Sequence, residues 1–142
     1  MNKVITLLLY VAPFCVVAEE SREAHLERFV QGNYFLVGKH IDSKETYYGE
    51  VSITKEKSGL SVVRKIAGKV VKGVAAGEHA TADKVAVLRI RFSDAGNDYD
   101  ETCMVDSDLD NYARITCHLY MPGKKTMEPG MEAYFINFNK PL

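Results

Sequence analysis

The chain has 142 residues, 18 of them basic and 19 acidic, for a net charge of −1. So even a balance gives nonspecific nucleic-acid binding no electrostatic support, and ordinary apolar and charged fractions argue against a disordered chain. After residue 18 no apolar run approaches the roughly 20 residues that cross a bilayer as a helix, so no membrane span is expected there.

Residues 1–18, MNKVITLLLYVAPFCVVA, carry Lys3 at the positive end, a largely apolar run from Val4 to Val17, and Val16-Val17-Ala18 just before Glu19-Glu20. This is the layout of a cleaved secretory signal, too short and wrongly flanked for a membrane anchor. Phe14 is bulky where a lipid-attachment pattern would place a small residue before Cys15. A cut after Ala18 leaves 19–142 as one domain, expected in the periplasm or secreted. In an oxidising compartment the remaining cysteines, Cys103 and Cys117, form an even pair and predict a disulfide.

Ser21 to Val30 reads as a short helix, with Leu26, Phe29 and Val30 on one face and Gly32 as its stop. The period then changes to two. Strands are predicted at Tyr34–Val37, Tyr47–Lys55, Leu60–Ala67, Lys69–Ala75, Lys84–Phe92, Tyr99–Val105, Tyr112–Met121 and Met131–Phe138, separated by Gly, Asp, Asn, Ser or Pro. Eight short strands without a helix-length gap imply an all-β antiparallel meander closed as a small barrel and capped by the helix. A two-sheet sandwich is the alternative.

The alternation assigns faces. Ala86, Leu88, Ile90 and Phe92 share an inner row, with Arg89 and Arg91 on the wet side; Gly49, Val51 and Ile53 form another inner row. If Cys103 and Cys117 lie directly opposite in a hairpin, Val105 faces Ile115, Glu101 faces Leu119 and Thr102 faces His118. Cys103, Val105, Ile115, Cys117, Leu119 and Met121 then share the inner face. These rows are apolar, which predicts a core filled by its own side chains.

No constellation names a reaction. Asp106-Ser107-Asp108-Leu109-Asp110-Asn111 opens like a calcium loop, but the sixth and twelfth positions are Asn111 and Cys117 rather than Gly and Glu, and a solvated turn explains it. Gly68 to Gly73 lacks the Lys and Ser/Thr of a phosphate loop. The four histidines are scattered without metal-ligand spacing, and no nucleophile elbow is present. No enzyme activity, no cofactor and no metal are therefore expected. The charges fall instead into two opposed blocks: Lys55 to Lys72, including Arg64, Lys65, Lys69 and Lys72, and Ser93 to Asp110, including Asp106, Asp108 and Asp110. These are the candidate partner-binding residues, able to steer a charged partner.

Gly32-Asn33-Tyr34, at the entry to the first strand after a short helix, resembles the G-x-W entry of lipocalin-type barrels with Tyr in place of Trp. In strand rhythm and size the chain is similar to lipocalin- and avidin-like barrels and to small secreted bacterial barrels. That resemblance implies a closed antiparallel barrel able to hold one small ligand. The absence of Trp removes the aromatic walls that avidins place around biotin, so biotin is not the implied ligand. Taken together, the sequence predicts an exported, non-catalytic protein-interaction module of the inhibitor or immunity kind that engages another envelope or extracellular protein. The alternative is a lipocalin-like carrier of a small apolar ligand.

Overall fold

A chain of period-two segments must hide its inner rows and pair its strand edges, and a closed sheet does both. The computed structural model describes residues 21–108 and 113–140. The predicted leader 1–18 lies outside the described residues, as do residues 109–112 with Asp110. One helix, α1 (Arg22–Phe29), precedes eight strands: β1 (Gly32–Lys39), β2 (Thr46–Glu56), β3 (Gly59–Ile66), β4 (Lys69–Ala80), β5 (Val85–Asp94), β6 (Asn97–Asp108), β7 (Ala113–Tyr120) and β8 (Gly130–Ile136). Each strand pairs antiparallel with the next, and β8 closes on β1. The fold is the predicted barrel and not the sandwich.

The core consists of the inward rows: Tyr34 and Leu36 of β1, Val51 and Ile53 of β2, Leu60 and Val62 of β3, Leu88 and Ile90 of β5, Ile115 of β7 and Tyr134 of β8. Cys103 and Cys117 are bonded directly across β6 and β7, with Cα atoms 4.0 Å apart. The register they predict holds: Val105 faces Ile115, Glu101 faces Leu119 and Thr102 faces His118.

The two ends of the barrel differ. At one end Ser21 caps α1 by accepting from the Ala24 amide at 3.2 Å, satisfying one of the helix's orphan donors. No residue of α1 is itself fully buried, so its position comes from tertiary contacts. Leu26 packs on the core, and the next residue after the helix, Val30, is fully buried. Tyr34 donates to the Val30 carbonyl at 2.7 Å. Lys55 pairs with Glu27 at 2.6 Å and His79 with Glu23 at 3.0 Å. Arg114 stacks on Phe29, 4.3 Å from its ring centre. Gly77 lets β4 run past the helix, because a Cβ there would sit 3.1 Å from the Glu23 backbone. β4 runs to Ala80 rather than stopping at Ala75 because it stays paired with β5 as far as Ala80 opposite Val85.

No helix among the described residues covers the other end. Two tight turns, Ala67-Gly68 and Ala95-Gly96, bound it, each with both residues at positive φ, the twist that suits a two-residue hairpin. Opposite them the β1–β2 and β7–β8 loops are tied together. The Asp42 carboxylate accepts from the Met127 and Glu128 amides at 2.8 and 2.7 Å, and the Asp42 amide donates to the Glu128 carbonyl at 3.0 Å.

Candidate functional site

Inside the uncovered end the inner rows change character. On β3 the row Leu60, Val62, Arg64 and Ile66 carries a guanidinium into the barrel, where Arg64 is only 3% exposed. Glu101 of β6 and Glu132 of β8, also buried, converge on it. The Arg64 Nη1 and Nη2 grip Glu132 end-on, at 2.8 Å to Oε2 and 2.6 Å to Oε1. Nη1 also bonds Glu101 Oε1. The Tyr134 hydroxyl donates to Glu101 Oε2 at 2.6 Å and accepts from Nη1 at 3.1 Å. The Tyr47 hydroxyl donates to Glu132 Oε1.

Local sequence explains how Tyr47 reaches in. Gly38 faces Tyr47 across β1 and β2, and the Tyr47 ring lies over it: a Cβ at Gly38 would come within 2.4 Å of the ring. On the opposite side the guanidinium carbon of Arg64 sits 4.1 Å from the centre of Phe92, and Phe92 stacks on Tyr99 at 5.1 Å.

One guanidinium between two carboxyls in a dry interior divides them. Burial pushes Glu101 up to about 8, with the nearby Glu132 charge adding to the effect. Burial also raises Glu132, but the Arg64 hydrogen bond and charge, together with the Tyr47 hydroxyl, outweigh it and hold Glu132 below the usual carboxylate range. Burial raises Tyr134 and Tyr47 as well. The cluster thus favours the ion pair between Arg64 and Glu132 and disfavours a second negative charge on Glu101.

Above this cluster lies a cup of about 430 Å³. Tyr47, Ile66, Val71, Phe92, Tyr99 and Leu119 form its walls, Arg64 borders it from below, and the Lys69–Asp94 ion pair stands at its rim. The expectation of a filled, apolar core is therefore corrected. Apolar rows fill the helix-covered half, while the other half holds a charged cluster and a cup.

The structure scatters the sequence-predicted site residues. Arg64, grouped with the surface cations, is buried in the barrel, because it shares the inward parity of Leu60, Val62 and Ile66 on β3. Lys65 is exposed on the outer face opposite Glu50. Lys69 is on the rim with Asp94, and Lys72 is exposed on β4. Of Asp106 and Asp108 the backbone alone is described, as the end of β6. Two ion pairs join the charge blocks across strands, Arg64 with Glu101 and Lys69 with Asp94. Sequence reading missed Tyr47, Glu132 and Tyr134, although parity with Gly130 and the aromatic Tyr134 marks Glu132 as inward.

Glu101 and the sulfurs of Cys103 and Cys117 lie within 4.8 Å of one another. Those sulfurs are bonded to each other and are not thiolate ligands. On the outside, Val37, Met104, Thr116, His118, Met131 and Ala133 of β1, β6, β7 and β8 line a groove of about 480 Å³. No helix among the described residues is long and apolar enough to cross a membrane. No protein-family model matches the chain, and neither does any curated protein.

Proposed function

We propose that the protein is an extracytoplasmic binding protein that carries a small, largely apolar molecule in the cup at the uncovered end of its barrel. The observation that carries this reading is the cup itself, about 430 Å³ with mainly apolar and aromatic walls, within the size range of small-molecule sites. The helix that shuts the opposite end and the cross-strand disulfide support a rigid container. The disulfide also favours an oxidising location. The role assigned to the site is non-catalytic, since Glu101 and Glu132 bind Arg64 and the tyrosines rather than line the cup.

The uncharged fluorescent probe N-phenyl-1-naphthylamine tests it. Saturable one-to-one binding is expected, abolished by Val71→Trp, which fills the cup, at an unchanged circular-dichroism spectrum. Binding that survives Val71→Trp overturns the reading. A second reading, a protein-interaction module, is favoured by the outer groove and its exposed Val37, Met104 and Met131. Under that reading Met131→Glu abolishes capture of a protein partner and leaves probe binding intact.

A further inference from the structure

The chemistry of the ligand follows from which hydrogens Arg64 has left. All of its hydrogen bonds to the protein run through Nη1 or Nη2. Among the described residues Nη1 serves three acceptors and Nη2 one, and Nε takes part in none. A guanidinium has five donors in a fixed fork, so the Nε–H and the neighbouring Nη2–H remain as a pair on one side. Among the described residues, the sealed side-chain polar atom without a hydrogen-bond partner is Arg89 Nε, which has the Glu78 carboxylate 3.5 Å away. Arg64 Nε is therefore not sealed in, and the space that Arg64 borders is the cup.

Charge then selects what the fork can take. Arg64 is matched by two carboxyls, so the cluster is neutral when one is protonated and carries one negative charge when both are ionised. It is positive only when both carboxyls are protonated. Of the other basic groups bordering the cup, Lys69 is paired with Asp94 and His40 packs on the Tyr47 ring at 4.4 Å. A ligand carboxylate brought into this site adds an uncompensated charge to a buried cluster, which is costly. A neutral oxygen acceptor adds none. The walls set the shape: Tyr47 on β2 and Tyr99 on β6 stand four strands apart on the eight-strand ring, and so face each other across the cup.

We infer that the cup selects a flat, uncharged, mostly apolar molecule that points a carbonyl oxygen at the free Nε–H/Nη2–H side of Arg64. This inference rests on the carrier reading above and adds the identity of the recognised group. The guanidinium, already held end-on by Glu132, is pre-set for the ligand and loses little freedom on binding.

The test displaces N-phenyl-1-naphthylamine from the full domain at pH 7 with three matched compounds: 2-acetylnaphthalene, 2-naphthoate and 2-ethylnaphthalene. The ketone should bind about tenfold or more tighter than the carboxylate and tighter than the hydrocarbon, as expected for a hydrogen bond to a charged donor in a dry site. Arg64→Lys keeps the charge and removes the fork, so a folded variant should lose the preference for the ketone over the hydrocarbon. Should that variant fail to fold, the ranking on the native protein decides alone. Naphthoate as the tightest ligand, or a ketone no better than the hydrocarbon, overturns the inference while leaving the cup intact. Failure of all three to displace a bound probe overturns it equally. Absence of any probe binding overturns the carrier reading and this inference together.

Discussion

The two ends of this barrel are built from the same strands and solve opposite problems. At the helix-covered end the inner residues are Leu, Ile and Val, and a tyrosine hydroxyl is spent on the Val30 carbonyl. At the uncovered end three charged side chains are buried instead and satisfy one another. The first arrangement maximises removal of apolar surface from water, worth roughly 25 cal/mol per Å². The second contributes less to stability, because desolvation offsets most of the attraction between buried ions. It leaves instead a fixed guanidinium under an open cup. Apolar packing dominates one end, and a charged cluster beneath a cup occupies the other.

The largest expected effect breaks the uncovered end. Arg64→Met leaves Glu101 and Glu132 without their cation and should cost about 3–5 kcal/mol in urea unfolding at pH 7. Glu101→Gln should cost far less, because burial already disfavours the charged form of Glu101, and it should change the pH dependence. Unfolded, Glu101 releases its proton near 4.5; folded, near 8. Between those values the folded state holds the extra proton, so stability should fall as pH rises through the window and level off above it. Glu101→Gln should flatten that slope. Glu132, with its lowered value, should act below about 4.5 and in the opposite direction, losing stability as pH falls.

Next comes the disulfide, which lies between the two ends. Replacing Cys103 and Cys117 by Ala together should cost about 3 kcal/mol for a loop of this size, measured as a shift in the denaturation midpoint, and leave cup binding detectable. A smaller effect should strike the covered end: Val30→Ala removes two fully buried methyl groups and should cost about 2 kcal/mol. Hydrogen exchange should then rise at α1 and the Val30 side of β1 before it rises around Arg64. Equal acceleration at both ends would erase the contrast drawn here. The smallest change should be a gain. Ala95 sits at φ 49° in a two-residue turn on the rim. Ala95→Asn should raise stability by about 0.5–1 kcal/mol, since Asn accepts that conformation more readily, with probe affinity unchanged.

Much of the fold was legible in local pattern. Lys84 to Phe92 shows its inner row by simple alternation, and β5 keeps Leu88 and Ile90 fully buried. The candidate site was less legible. Glu101 was already placed on the inner row beside Cys103, but nothing local shows what would neutralise it. Arg64 looked like one more cation in a run with Lys65, Lys69 and Lys72, although parity with Leu60 and Val62 points it inward.

By itself, then, the sequence determined the eight strands, their antiparallel order and the β6–β7 register, because period two and an even cysteine pair are properties of neighbouring residues. Tertiary structure alone decided that Arg64 meets Glu101, 37 residues on, and Glu132, 68 residues on. A buried charge is tolerated only where closure of the sheet delivers its partner. Closure also placed α1 under one end and left the other as a cup, since a helix with no fully buried residue of its own takes its position from the barrel it covers.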